Sequence, residues 1–279
     1  MDLFRRNAVF CAGDVTDGWA PAPAELASAA VAMATCPHPA GVLYRTSERM
    51  LVRYRSSHGG ASVMMKMWAR PGWRGVLRRL TGSSNCQREY AALVTVHRAG
   101  VRVPRPIGWC RLWNDPGGFT EALFMEDLGR CSSSTEYLKE IIRQGREDLV
   151  REFDENVIHM TKVILAAGIL DPDHGLVNIV LTADGHLARL DMELARKVLG
   201  PMRTVRYRLW GEMIGRLIAT YTFAVQPDSG RAVRFAHALD EHLSLSASVR
   251  RAAARFVHRM MRHQRKTTGI DTTVALEWD

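Results

Sequence analysis

The stretch Asp173-His174-Gly175-Leu176-Val177-Asn178, followed by a short apolar hairpin and then Asp191, constrains this chain more than any other feature. Ile179-Val180-Leu181 reads as a buried strand. Thr182-Ala183-Asp184-Gly185-His186 carries an Asp-Gly turn signal, and Leu187-Ala188-Arg189-Leu190 reads as the return strand. In an antiparallel hairpin the residue before the first strand and the residue after the second lie at the same end. Asn178 and Asp191 are therefore expected side by side, with Asp173 just upstream on a loop. An amide oxygen and one or two carboxylates converging at a sheet end make a hard-oxygen site suited to Mg²⁺. Taken singly, Asp and Asn beside hairpins are turn formers and caps. The joint spacing is what supports a metal site.

Other parts precede it in order. Ser62-Val63-Met64-Met65-Lys66-Met67-Trp68 is an apolar strand interrupted by one lysine. Lys66 reads either as an edge residue whose ammonium reaches water or as a strand lysine that pairs with nucleotide phosphates. The second reading needs a carboxylate on a following helix. Residues 85–100 supply that helix: Tyr90, Leu93, Val94 and His97 follow helical spacing, and Gly100 marks its stop. Glu89 is the natural partner of Lys66, although on helix grounds alone it reads equally as a solvated carboxylate. Pro104 and Pro106 rule out helix in the next segment. Glu121 to Leu128 reads as a buried strand that leaves into an acidic, then Gly/Ser-rich, segment.

The spacings from Asp173 to Asn178 and from Asn178 to Asp191 match the catalytic and metal-binding loops of protein kinases. Two further stretches narrow the likeness. One is Gly41-Val42-Leu43-Tyr44-Arg45-Thr46-Ser47-Glu48-Arg49, with arginines where protein kinases carry glycines. The other is the basic Gly-Trp segment at residues 71–80. Over residues 41–196 the chain resembles the lipopolysaccharide kinase (Kdo/WaaP) branch of the protein-kinase-like superfamily. The resemblance implies an α+β, bilobal protein-kinase-like fold. A small β-rich N-lobe would span 41–125 and a larger helical C-lobe 126–279, after an N-terminal extension over 1–40 that holds an Ala-rich helix. It implies ATP and Mg²⁺ as cofactors and an alcohol as acceptor. Lys66, held by Glu89, would position the α- and β-phosphates. Arg45, with Thr46, Ser47 and Arg49, would cover them in place of glycines. Glu126 to Leu128 would meet the adenine through the backbone. Asn178 and Asp191 would hold the metal, and Asp173 would orient the acceptor hydroxyl. The implied acceptor is a sugar hydroxyl of the lipopolysaccharide inner core, heptose or Kdo, on the cytoplasmic face of the inner membrane.

The chain departs from the kinase pattern in three places. No Gly-x-Gly-x-x-Gly precedes Lys66, so phosphate contacts there fall to guanidinium side chains. Asp171-Pro172-Asp173 stands where His-Arg-Asp is usual, which removes the histidine that braces that loop. Asp191-Met192-Glu193 replaces Asp-Phe-Gly. Glu193 lacks glycine's backbone freedom, so a metal loop fixed in one state is expected. His174 reads as a loop histidine bonding the backbone; a proton shuttle is the alternative.

Composition agrees. A chain of 279 residues with 47% hydrophobic content can bury a core large enough for two lobes with one nucleotide cleft. Thirty-eight Lys and Arg against 29 acidic residues give a net charge of +9, which suits an anionic glycolipid acceptor or a membrane surface. No zinc-finger, helix-turn-helix or RNA-binding signature occurs, so specific nucleic acid is not expected. No apolar run approaches the roughly 20 residues of a membrane span, and the first residues lack a signal-peptide core. Five scattered cysteines without metal spacing read as reduced thiols of a cytoplasmic protein. Two basic segments bear on peripheral contact with the inner membrane: residues 70–79, with Trp68 and Trp73, lean towards it, whereas the last helix from Ser248, with a cap at Ser246 or Ser248, reads first as a solvated face and second as an amphipathic membrane surface. Three rivals stand beside this reading. A protein Ser/Thr kinase would need a longer segment after Asp191 and an Ala-Pro-Glu. An aminoglycoside- or choline-type kinase would need an acidic acceptor pocket. A non-catalytic pseudokinase scaffold would bind nucleotide without turnover.

Overall fold

The structure, a computed structural model, describes residues 8–12, 21–36, 38–55, 62–69, 84–112, 119–198 and 206–268. The basic Gly-Trp segment at residues 71–80 lies outside the described residues. The chain divides into two compact units, residues 1–94 with 104–128 and residues 95–103 with 129–279.

The first unit is built on an antiparallel sheet. Its strands are β1 (Ala8–Ala12), β2 (Val42–Arg45), β3 (Arg49–Tyr54), β4 (Val63–Ala69), β5 (Pro106–Leu112) and β6 (Phe119–Glu126), in the order β1-β5-β6-β4-β3-β2. Strand β4 shows why it forms. Val63, Met65 and Met67 alternate onto one face and are fully buried, while Lys66 lies on the other. The buried face meets Met50 and Val52 of β3, Ala122 and Phe124 of β6, and helix α1 (Pro23–Thr35). Pro23 opens α1, where its missing N–H costs nothing, and Leu26, Ala30 and Ala34 press onto the sheet. Residues 8–12 and 23–35 are thus an edge strand and a core helix of this unit. Gly41 has φ +76, and a Cβ there would sit 2.3 Å from the Arg53 carbonyl, so only glycine fits the entry to β2.

Helix α2 (Asn85–Arg98) follows. Ser84 caps it, its Oγ accepting from Gln87 N at 3.1 Å. It ends as the sequence predicts, with Gly100 at φ +90: Val101 N donates to Val96 O and Gly100 N to His97 O, the paired bonds of a Schellman cap.

The second unit is mainly helical. It contains α3 (Ser134–Arg143), α4 (Glu147–Ala166), α5 (Tyr207–Val225), α6 (Ser229–Leu243) and α7 (Ala247–Thr268). Short strands β7 (Cys131–Ser133), β9 (Ile179–Thr182) and β10 (Leu187–Arg189) form one sheet, and β8 (Ile169–Leu170) pairs with β11 (Arg196–Lys197). Helix α4 buries a wide apolar face, Val150, Phe153, Val157, Ile158, Met160, Ile164 and Leu165, while Leu149 stays half-buried. Helix α5 is buried along most of its length from Gly211 to Val225, which makes it the axis of the unit. Gly211 and Gly215 let α7 approach it closely; a Cβ on Gly211 would lie 2.3 Å from that of Ala252. Ser246 is the residue that caps α7, accepting from Val249 N at 3.4 Å. Among the described residues no helix is long and apolar enough to cross a membrane.

Candidate active site

In the first unit, the Lys66 ammonium bonds both carboxylate oxygens of Glu89, at 3.1 and 2.9 Å. The Glu89 side chain is only 1% exposed. The solvated reading of Glu89 therefore fails, because α2 is rotated from the predicted stripe. Cys86, Glu89, Ala92, Leu93 and Val96 face inward, Tyr90 is half-buried and His97 is exposed. A glutamate on a helix's buried face requires a cation, and β4 supplies one. The Lys66 ammonium also sits 5.2 Å from the Trp68 ring centre. Burial pushes the neighbouring Cys86 thiol well above its usual range, with Glu121 adding to the rise.

The turn before Lys66 is tight. Thr46 Oγ1 accepts from the N–H groups of Glu48 and Arg49, and Thr46 N donates to Arg49 O. Those backbone donors are committed within the turn, unlike those of a glycine-rich loop. Arg45 donates to Cys36 O at 3.3 Å and lies over the Phe119 ring. At the end of β6, Glu126 N donates to Arg105 O and Asp127 N to Ser62 O, while Asp127 pairs with Arg53 at 2.6 Å. The Leu128 main chain follows directly.

In the second unit, the predicted β9–β10 hairpin forms, with Ile179 opposite Arg189. The turn at Gly185 has φ +83. Leu190 N donates to Asn178 O at 2.8 Å, so residues 178 and 191 stand at one end of the hairpin. Asn178 Nδ2 donates to the Asp173 carbonyl and to Asp173 Oδ2, each at 3.0 Å. With that nitrogen committed, the amide oxygen of Asn178 is the atom left for a cation. Asp173 Oδ1 pairs with Arg216 of α5 at 3.3 Å, and its side chain remains about a third exposed. Asp191 adopts φ +50, a left-handed conformation that Asp tolerates and that recurs at functional sites. Its Oδ1 accepts from Glu193 N at 3.4 Å, and a carboxylate oxygen of each of these two residues lies within 4.8 Å of the other. Hard oxygens of this kind fit Mg²⁺. Met192 is fully buried and fills an apolar slot beside the loop.

Two residues that the sequence reading missed hold this loop. Arg189 is completely buried. Its guanidinium bonds the Asp171 carboxylate and the carbonyls of Asp173, Asn178 and Leu190. Asp171 in turn accepts from Asp173 N at 3.0 Å. Burial raises the Asp171 carboxyl above its ordinary range, against the pull of Arg189. The brace that a histidine would give is thus rebuilt from an Asp–Arg pair. Arg216 donates to Pro172 O at 2.8 Å besides meeting Asp173. The available signal was an arginine inside each of two short apolar runs, Leu187 to Leu190 and Ile214 to Ala219. His174 does not bond the backbone through its ring as expected. Its Nε2 meets Thr161 Oγ1 at 2.9 Å, and burial holds the imidazole well below its usual range. A neutral, sealed histidine cannot serve as a proton shuttle.

An antiparallel sheet with a lysine–glutamate pair, and a helical unit with this loop and hairpin, define a protein-kinase-like fold. Among solved structures, WaaP in complex with acyl carrier protein is similar to this chain with a TM-score of 0.56 and 18% identity, covering 83% of this chain and 91% of that one. The ROP18 kinase domain in complex with AMP-PNP and sucrose is similar at 0.48 and 12%, covering 80% and 81%. No family model and no curated protein sequence matches the chain.

Proposed function

We propose that this chain is an ATP-dependent kinase that transfers the γ-phosphate to a sugar hydroxyl of the lipopolysaccharide inner core, heptose or Kdo. The observation that carries the reading is the Asp173 loop: an accessible carboxylate fixed by Asn178 and Arg216, with its backbone clamped by Arg189. Asp173 orients the acceptor hydroxyl and takes its proton as the oxygen attacks the γ-phosphorus; ADP leaves with the bridging oxygen's electrons. Lys66, held by Glu89, steadies the α- and β-phosphates. Arg45 adds charge near them, and the backbone of Glu126 to Leu128 meets the adenine. Asn178 and Asp191 would hold Mg²⁺, which would supply charge neutralisation at the phosphate oxygens. Positioning and charge neutralisation supply the rate. The setting is the cytoplasmic face of the inner membrane, with peripheral contact through the basic segment at residues 70–79.

Transfer of labelled γ-phosphate tests this. Dephosphorylated lipopolysaccharide core, a generic protein substrate and water serve as acceptors in parallel, with Asp191→Ala as the blank. Asp173→Asn should keep nucleotide binding and lose transfer by roughly a hundred-fold or more, the scale of a general base that also positions. Label on protein alone would overturn the sugar acceptor. ATP bound without any transfer would make the chain a pseudokinase.

A further inference from the structure

Helix α7 is strongly basic, yet its apolar face is not available to a membrane. Val249, Ala253, Phe256, Val257 and Met261 are buried. The exposed large hydrophobics of the described residues are Leu43, Tyr44, Val177 and Leu194, none of them on this helix. What α7 leaves free is charge. Between α5 and α7 lies a cavity of about 320 Å³ lined by Arg208, Glu212, Ala252, Arg255, Phe256 and Arg259. Nearby arginines are neutralised: Arg250 pairs with Asp240, Arg231 with Glu147 and Arg216 with Asp173. Among the described residues Arg208, Arg255 and Arg259 have no such carboxylate partner.

Three guanidiniums share one concavity with a single carboxylate, Glu212, so the cavity keeps a net positive charge that favours an anion. Phosphate oxygens are the natural match, because a guanidinium donates to two at once. A cavity of this size is at the small end of ligand sites and suits a phosphorylated monosaccharide better than a bilayer surface. Glu212 gives the site one acceptor for sugar hydroxyls. The cavity is also coupled to the loop described above. Phe256 lies under the Arg259 guanidinium at 5.0 Å and under that of Arg216 at 5.4 Å, and Arg216 holds Asp173.

We propose that the α5–α7 cavity binds the phosphate of a phosphorylated sugar, and that this sugar is the acceptor; the acceptor role rests on the kinase reading, the binding does not. The test is isothermal titration of the full chain with glucose bisphosphate, glucose and inorganic phosphate, beside sedimentation with phosphatidylglycerol vesicles. The variants are Arg255→Glu/Arg259→Glu and, as a charge-matched control on the same helix, Arg251→Glu/Arg262→Glu. The bisphosphate should bind about ten-fold or more tighter than glucose, as charge-assisted hydrogen bonds predict. The cavity variant should lose about ten-fold and the control less than about three-fold. Should the double variant melt early by circular dichroism, Arg208→Gln carries the same comparison. Absence of bisphosphate binding, equal losses in both variants, or inorganic phosphate binding as tightly as the bisphosphate would each overturn the site. Vesicle binding lost from the cavity variant, without any sugar-phosphate binding, would overturn it in favour of a membrane face. ATP is titrated separately: failure of ATP alone removes the kinase reading and the acceptor role, whereas failure of the bisphosphate alone removes the cavity proposal.

Discussion

Asp154 of α4 is a carboxylate placed where a carboxylate is costly. One oxygen accepts from Tyr221 Oη at 3.0 Å; the other is buried without a hydrogen bond. Burial pushes this carboxyl up to about 7, against the Tyr221 bond; burial, with Asp154 adding to it, also raises the Tyr221 phenol. The folded state therefore holds the proton more tightly than the unfolded one. Stability is full below the unfolded value near 4 and falls as pH rises through about 7. Asp154→Asn should remove that slope and be more stable than the parent at pH about 8, by roughly 1–3 kcal/mol. Melting temperatures of both proteins between these limits decide it, and parallel curves would reject the assignment. Arg189 makes a second case at this scale. Arg189→Met strands Asp171 in the interior and should cost about 3–5 kcal/mol. Arg189→Lys keeps the charge but cannot reach four oxygens from one point. Its kcat should fall by about ten- to a hundred-fold through misplacement of Asp173, with little change in KM for ATP. Unchanged kcat in the lysine variant would show that Arg189 only stabilises the fold.

At the level of elements, the α5–α7 contact depends on two glycines. Alanine normally gains about 1 kcal/mol over glycine inside a helix. At Gly211 the added Cβ would collide with Ala252, so Gly211→Ala should instead lose about 1–3 kcal/mol through overpacking. Gly230 of α6 has no contact nearer than 3.4 Å, and Gly230→Ala should be neutral or slightly stabilising. Denaturant titration of the two variants checks both signs. The elements themselves were legible wherever a period or a stop signal was strong. The β9–β10 hairpin and the Gly100 stop stand where pattern and turn chemistry placed them. The inward face of α2 was not legible, because a charged residue lies on it; the period alone favoured Tyr90 and His97 over Glu89.

Across the whole molecule the surplus of positive charge is +9. Affinity for an anionic glycolipid should fall by roughly ten-fold between low and physiological salt, while a neutral sugar acceptor should be nearly insensitive. Equal salt dependence for both would detach the charge from acceptor recognition. The local spacing of Asp173, Asn178 and Asp191 follows from sequence alone, because a hairpin with a two-residue period fixes which residues share an end. The same holds for Lys66, which interrupts an otherwise apolar strand and so takes the opposite face. What no local rule could decide is how distant charges meet. Glu89 reaches Lys66 across 23 residues, Arg216 reaches Asp173 across 43, and Arg189 closes on Asp171 from the far side of the hairpin. Those pairings are set by packing: each buried charge needs a partner, and only the assembled core determines which one is within reach.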